Sequence, residues 1–384
     1  MPQSKPSDNP FDMRWLIAGI LTSLAAWAAV QLAQDLYVKY AIVRSTDFGY
    51  TPNPDGVRRF LGELERPTFR DAGAEAIAGA KGKDSFPYRS AIKAHHAVYG
   101  KPFGPWNQGS AGTCVSFGWG MGSYIGQCVD WTCGRLANPP PLVSTEPIYG
   151  GSRTAGRLPP VDFAGWSDGS YGGAAARWVA GLKNGTGGIL YRQKYGSFDL
   201  SEYSIEKSRE WGAYGVPAEL AREANKHTAR SVALIETYEG LCAALESGYC
   251  VPVCSNVGFA KTNVRDKDGF LPRGGTWNHC MLACAVRHAQ NEGGRDGILL
   301  INSWGDRWVT GPKWPADQPD GSFWISKADA ISIISQGDSF AIGGVDGFSY
   351  RQLDNGNWLG PVDGITRRTP QPARLIAGTY SLAP

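Results

Sequence analysis

The chain reads as an α+β protein: segments of helical character come first, apolar strand-like runs come later, and the two do not alternate as βαβ units would. Glycine adds a third observation. It supplies 50 of 384 residues, about twice its usual share and with no G-X-Y period, which implies many loops and close backbone approaches. The helical stretches run from Cys114 to Trp131, after a glycine-rich turn, then Gly173 to Lys183, Pro217 to Asn225 and Thr237 to Glu246. The strand-like runs are Cys250 to Val257, His279 to Val286, Gly297 to Asn302 and Ser322 to Ile325. No internal repeat occurs at solenoid periods.

Composition removes several classes. Hydrophobic residues make up 42% and charged residues 19%, which fits neither a disordered chain nor a charged coiled coil. Lys and Arg number 38 against 35 Asp and Glu, a net charge of +3 with no basic run, so a nucleic-acid partner is not expected. At ~150 residues per domain the length allows two or three domains or one large two-lobed one.

The two ends differ from the middle. After a tail over residues 1–14, no residue from Trp15 to Gln34 is charged, and ~20 apolar residues are what a bilayer-crossing helix needs. Residues 15–34 are therefore expected to form a transmembrane or signal-anchor helix, giving a single-pass, membrane-anchored chain. Lys5 and Arg14 before it and Lys39 and Arg44 after it leave the sidedness open. Ala26-Trp27-Ala28 offers an A-x-A cleavage pattern, which would leave a secreted or periplasmic protein instead. A buried core helix is a third reading. Residues 35–85 read as a juxtamembrane stalk or linker, and residues 346–384, rich in Gly, Pro, Asn and Arg, as a loop-like C-terminal arm.

Three stretches of the middle carry chemistry. In Asn107-Gln108-Gly109-Ser110-Ala111-Gly112-Thr113-Cys114, a cysteine opens a helix, where unpaired N–H groups and the helix dipole favour a thiolate. The Gln108 amide, on a loop that turns back, can join the Cys114 N–H in stabilising an oxyanion. By itself Cys114 reads equally as a small buried cysteine in a tight loop. In Trp277-Asn278-His279-Cys280 a histidine opens an apolar run, a place more often held by a satisfied core residue than by a catalytic base. In Leu299-Leu300-Ile301-Asn302-Ser303-Trp304-Gly305 a strand ends in an amide that can fix an imidazole tautomer, with Trp304 shielding that bond from water.

In order and local context these segments resemble the papain-like cysteine peptidases, whose Gln, Cys, His and Asn site residues match Gln108, Cys114, His279 and Asn302. Asp168-Gly169-Ser170-Tyr171-Gly172-Gly173 resembles the family's Gly-Cys-x-Gly-Gly stretch, and Asp320-Gly321-Ser322-Phe323-Trp324-Ile325 its closing glycine-aromatic strand. The resemblance covers residues 86–345. It implies a two-lobed fold, with a helical lobe carrying Cys114 and an antiparallel, barrel-like β lobe carrying His279 and Asn302. Substrate contacts then fall to Gly172, Gly173 and Trp304. Cys114 lies 165 positions before His279 and 188 before Asn302, against the family's ~130 to 150, so insertions are expected, at residues 139–166 and 261–275.

Departures from the pattern are specific. Ala111 and Ser170 stand where the family has the two halves of a disulfide, a paired loss that fits the alignment. Thr113 replaces Ser, and Val115 replaces the Trp that follows the nucleophile. No inhibitory propeptide is recognisable before Phe86. Of eight cysteines, seven remain beside the nucleophile. Cys128 and Cys133 are spaced to close a small loop, while Cys250 and Cys254, like Cys280 and Cys284, share a strand face. C-x-x-C spacing is absent, so no metal and no cofactor is expected, and small hydrophobes packed between sheet and helix is the preferred reading.

The resemblance implies an endopeptidase acting on a peptide or protein substrate, with Cys114 as nucleophile, His279 as general acid and base, Asn302 as orienter and Gln108 in the oxyanion hole. Two alternatives use the same residues: a non-catalytic papain-like domain that binds a peptide or serves a membrane-attached or viral assembly, and an amidase or transpeptidase. Subsite specificity and oligomeric state are not legible.

Overall fold

A computed structural model of the chain describes residues 48–154, 168–182, 184–229, 231–259, 263–344 and 347–353, with isolated helical residues between 22 and 29. Three short helices, α1 (Pro54–Leu61), α2 (Phe69–Ala72) and α3 (Ala74–Gly79), precede α4 (Tyr88–Tyr99), α5 (Cys114–Thr132), α6 (Glu146–Thr154) and α7 (Gly172–Ala180). A small ladder, β1 (Lys194–Tyr195) and β2 (Phe198–Asp199), leads to α8 (Ile205–Tyr214) and α9 (Ala218–Ala224). Then come β3 (Val232–Leu234), α10 (Tyr238–Glu246), β4 (Val251–Phe259), β5 (Arg273–Arg287), β6 (Gly297–Ile301), β7 (Ser322–Ile325), α11 (Lys327–Ile334) and β8 (Phe340–Ile342). The α+β order expected from the sequence is the order observed.

Local chemistry sets the element ends. The Thr237 hydroxyl accepts the Gly240 N–H at 3.0 Å, so α10 starts one residue later than its sequence pattern suggests. Gly181, at φ +86°, stops α7 short of Lys183. Strands β4-β5-β6-β7 form an antiparallel sheet, and β3 pairs antiparallel with β8. Strand β5 begins six residues before its apolar signal. Its first half is largely exposed and only the part from His279 onward enters the core, so hydrophobicity marks only the second half.

The four-stranded sheet is buried on both faces. Cys254, Cys280, Leu282 and Leu299 face the helices, while Val253, Met281, Ala283 and Leu300 face a second core with Leu241 of α10 and Ile333 of α11. On the helical side α5 comes very close. A Cβ on Gly118 would lie 2.9 Å from Cys280 Sγ, and one on Gly122 2.9 Å from Ile342 Cδ1 and 3.0 Å from Leu282 Cδ1. Those glycines let the helix that starts at Cys114 rest against the strand that carries His279. All eight cysteines are free thiols and all but Cys133 are buried, so Cys128 and Cys133 close no loop and the others pack as small apolar groups.

Three expectations about the ends need correction. Residues 48–85 are no free stalk, because Val57, Phe60, Phe69 and Ala76 are buried in the two cores. The C-terminal arm is not loose from residue 346: Phe348 is buried against Phe69 and Tyr249, and Arg351 forms a buried ion pair with Asp130 at 2.5 Å. Arg351 also donates to the Ser247 and Gly248 carbonyls. Beyond Leu353 the arm lies outside the described residues. The membrane-anchored localisation is overturned, since among the described residues no helix is long and apolar enough to cross a membrane. The run over residues 15–34, most of which also lies outside the described residues, is charge-free but carries Gly19, Thr22, Ser23, Gln31 and Gln34. Neither the anchored nor the exported placement finds support.

Two variants test this packing. Gly118→Val forces methyl groups into Cys280 and is expected to lower stability by about 1–3 kcal/mol, the usual cost of overpacking; an unchanged denaturant midpoint would show that the helix–strand contact is loose. Asp338, just before β8, accepts the Gly172 and Gly173 N–H groups at 2.8 and 2.7 Å at the start of α7. Burial pushes its carboxyl up to about 7 against those hydrogen bonds. A carboxyl raised on folding stabilises fully below its ordinary value near ~4, and that contribution is lost as pH rises through 7. The stability advantage of wild type over Asp338→Asn, which cannot ionise, is therefore expected to shrink from pH 5 to pH 8 in urea titrations. A flat difference would refute it.

Candidate active site

The expected residues meet where the start of α5 approaches β5. The His279 Nε2 lies 2.7 Å from Asn302 Oδ1, and both side chains are buried. Asn302 Oδ1 also accepts the Ser303 N–H at 2.7 Å, which identifies that atom as the oxygen. The imidazole must then carry its proton on Nε2, leaving the Nδ1 lone pair free. Nδ1 makes no hydrogen bond. The Trp304 ring stacks on His279 at 4.8 Å and 26°, and Phe48 meets it edge-on at 5.3 Å.

Cys114 is the first residue of α5 and wholly buried. Its Sγ accepts the Cys280 N–H at 3.4 Å, which places the thiol beside the residue that follows His279. Burial pushes the thiol well above the usual cysteine range, with a smaller push from Cys280, outweighing the lowering by the Cys280 and Val115 N–H groups. Burial likewise drops His279 to about 4, against the raising effect of Asn302. Thiol and imidazole are both neutral here, and no thiol–imidazole hydrogen bond is formed.

Gln108 is also in place, but its amide is fully engaged. Nε2 donates to the Phe48 and Ala111 carbonyls at 3.0 and 2.9 Å, and Oε1 accepts the Ser303 hydroxyl at 2.6 Å. The Gln108 N–H reaches the Ser303 carbonyl at 2.8 Å. Ser303 thus joins the Gln108 loop to the Asn302 strand. It lies inside the Asn-Ser-Trp-Gly stretch, yet nothing in its sequence context separates this role from that of any small polar residue.

The engagement of Gln108 comes from a segment assigned to the stalk on sequence. Phe48 to Thr51 cross the cleft as an extended strap. The Phe48 and Tyr50 N–H groups donate to the Asn278 carbonyl at 3.1 and 3.3 Å on the β5 wall. On the helical wall, Ser170 N–H donates to the Gly49 carbonyl at 2.9 Å and Thr51 N–H to the Ser170 carbonyl at 2.8 Å. Gly49, at φ +111°, packs so tightly on the Gly112 backbone that any Cβ would overlap it. The Tyr50 hydroxyl reaches Asp338.

Gly172 and Gly173 stand differently from expectation. They are buried at the start of α7 with their N–H groups on Asp338, and the residue that meets an extended chain is Ser170. Helix formation directs their donors along the helix axis and away from the cleft. Tyr203, unmarked in the sequence, touches both ends of the Gln108–Thr113 loop: its hydroxyl lies 3.0 Å from Thr113 Oγ1 and 3.2 Å from the Gln108 carbonyl.

No protein-family model matches the chain, and no curated protein matches it. Among solved structures, it is similar to xylellain, a cysteine protease from Xylella fastidiosa, at 14% identity over 80% of this chain and 98% of that one, with a TM-score of 0.48. It is similar also to digestive procathepsin L 3 of Tenebrio molitor larval midgut, at 17% identity over 77% and 83% of the two chains and a TM-score of 0.42. The bromelain protease from Ananas comosus in complex with the E64 inhibitor matches at 14% identity over 64% and 94%, with a TM-score of 0.36. At these identities and scores no residue role passes from them to this chain.

Proposed function

We propose that this chain is a papain-like cysteine peptidase, with its catalytic body over residues 48–353 and its cleft closed by its own Phe48–Thr51 strap. One observation carries the reading. An extended stretch of polypeptide already lies beside Cys114 and His279, held by backbone groups of Asn278 and Ser170 on opposite walls, with a carbonyl on the Gln108 amide. A cleft that binds an extended main chain through main-chain groups is suited to peptides, with side-chain specificity left to the flanking surfaces.

The chemistry follows from the tautomer and from burial. With the strap withdrawn, water and substrate enter, which moves the thiol down and the imidazole up from their buried values. The free Nδ1 lone pair of His279 then takes the Cys114 proton, and the start of α5 stabilises the thiolate. Sulfur attacks the substrate carbonyl, and Gln108 Nε2, released from the Phe48 carbonyl, joins the Cys114 N–H in holding the oxyanion. His279 delivers its proton to the leaving amine, and water, deprotonated by the same nitrogen, resolves the acyl-enzyme. Asn302 keeps the ring in one orientation throughout.

The test is labelling with a peptidyl epoxide, followed by mass spectrometry of the modified residue. The full-length double variant Phe48→Ala/Tyr50→Ala is expected to label at Cys114 about tenfold faster than wild type or more, the effect of weakening strap binding by ~1.4 kcal/mol. Cys114→Ala in that background should abolish the label and His279→Ala should slow it. If the loosened variant reacts no faster than an ordinary exposed thiol, the peptidase reading is wrong and a non-catalytic peptide-binding domain takes its place. Labelling together with acyl transfer to an added amine and no net hydrolysis would support the transpeptidase alternative instead, and hydrolysis of simple amides but not of peptides would support the amidase alternative.

A further inference from the structure

We propose that Asp168 is a positioning residue that clamps the nucleophile loop to the helical wall of the cleft, doing without a covalent bond what the missing disulfide at Ala111 and Ser170 would do. Only its effect on rate rests on the peptidase reading above.

The loop needs such a tie. From Gln108 to Thr113 it runs Gln-Gly-Ser-Ala-Gly-Thr, with Gly109 at φ +64° and no apolar anchor larger than Ala111. Ser170 cannot replace its absent cysteine, since its hydroxyl is turned to Ser152 Oγ at 2.7 Å. Two residues earlier, the Asp168 carboxylate bridges the same two segments. Oδ2 accepts the N–H of Gly112 at 2.9 Å, two positions before the nucleophile, and Oδ1 accepts the N–H of Gly169 at 2.9 Å. Hydrogen bonds to an ionised acceptor are roughly twice as strong as neutral ones.

The carboxylate is itself held from behind. The Tyr149 hydroxyl, on α6, donates to Oδ1. Arg153, one turn further along α6, fixes the adjacent turn through the Gly169 carbonyl at 2.5 Å and the Gly212 carbonyl at 2.9 Å. A tie is only as rigid as its anchor, and this one is anchored in a buried helix. The arrangement has a second effect, because the Asp168 charge is close enough to raise the Cys114 thiol. Asparagine separates the two effects. Its oxygen can accept the Gly112 N–H and its amide can donate to the Tyr149 oxygen, with no charge left; the Gly169 N–H gives up Oδ1 and keeps the Tyr149 hydroxyl oxygen, at 3.1 Å.

The experiment uses the full-length Phe48→Ala/Tyr50→Ala chain as parent. In Asp168→Ala, amide hydrogen exchange over residues 108–117 is expected to accelerate. On a peptide substrate kcat is expected to fall about tenfold to a hundredfold, the scale of a slight misplacement of reacting groups, with a much smaller change in KM. Asp168→Asn should recover most of kcat and move the labelling–pH profile to lower pH, a shift that a merely structural role would not produce. Ala111→Cys/Ser170→Cys, added to Asp168→Ala and verified as a disulfide by mass spectrometry, should restore kcat. Unchanged exchange in Asp168→Ala overturns the clamp whatever the activity. Faster exchange in a parent inert to peptide and epoxide leaves the clamp standing and removes the peptidase reading instead.

Discussion

The contact between α5 and β5, with Gly118 and Gly122 on the helix and Cys280 and Leu282 on the strand, is the constraint on which the site's geometry depends. Two elements from different lobes must bring a thiol and an imidazole to the same place, and helix–sheet packing at ordinary side-chain thickness would hold them further apart. Glycine at the contact removes that thickness. The Cys280 N–H can then reach the Cys114 sulfur, and His279, one residue earlier, falls on the adjoining rim. Ser303 repeats the principle on the other side, where one small residue joins the Gln108 loop to the Asn302 strand through both its backbone and its hydroxyl.

Close packing also dries the site, and dryness determines its resting chemistry. A buried thiol and a buried imidazole both favour their neutral forms, so a thiolate–imidazolium pair is disfavoured in this packing. The strap reinforces this by engaging Gln108 Nε2 through the Phe48 carbonyl and pressing Phe48 against the histidine ring. The aromatic box of Phe48, Trp277, Trp304 and Trp308 keeps the His279–Asn302 bond aligned, and in the closed state it also keeps water away.

How much of this was legible in the sequence depends on the range of the interaction. Helix starts such as Cys114 and strand runs such as Gly297 to Asn302 are written in a few neighbouring residues, and they appear within a residue or two of where local pattern puts them. The Gln, Cys, His and Asn positions could be aligned because each sits in a short, chemically distinctive context. Phe48 had no such context. Its role depends on residues more than fifty positions away, and a short extended segment between polar neighbours has no periodicity to betray it. Gly172 and Gly173 failed for a different reason: the motif was visible, but helix formation and the Asp338 carboxyl, distant in sequence, decide where their N–H groups point. At the N-terminus the charge-free apolar run over residues 15–34 was read as a membrane span, and among the described residues no helix is long and apolar enough to be one.

The distribution of thiols has a practical meaning. Of eight cysteines only Cys133, at the far end of the helix that Cys114 begins, is exposed, and no disulfide complicates the count. A small reagent therefore meets one exposed sulfur on the folded chain, and on the proposed reading a second, Cys114, once the strap withdraws. The first acts as an internal standard for the second. The state of the cleft becomes a stoichiometry, read without knowing any substrate, on the same helix from opposite ends.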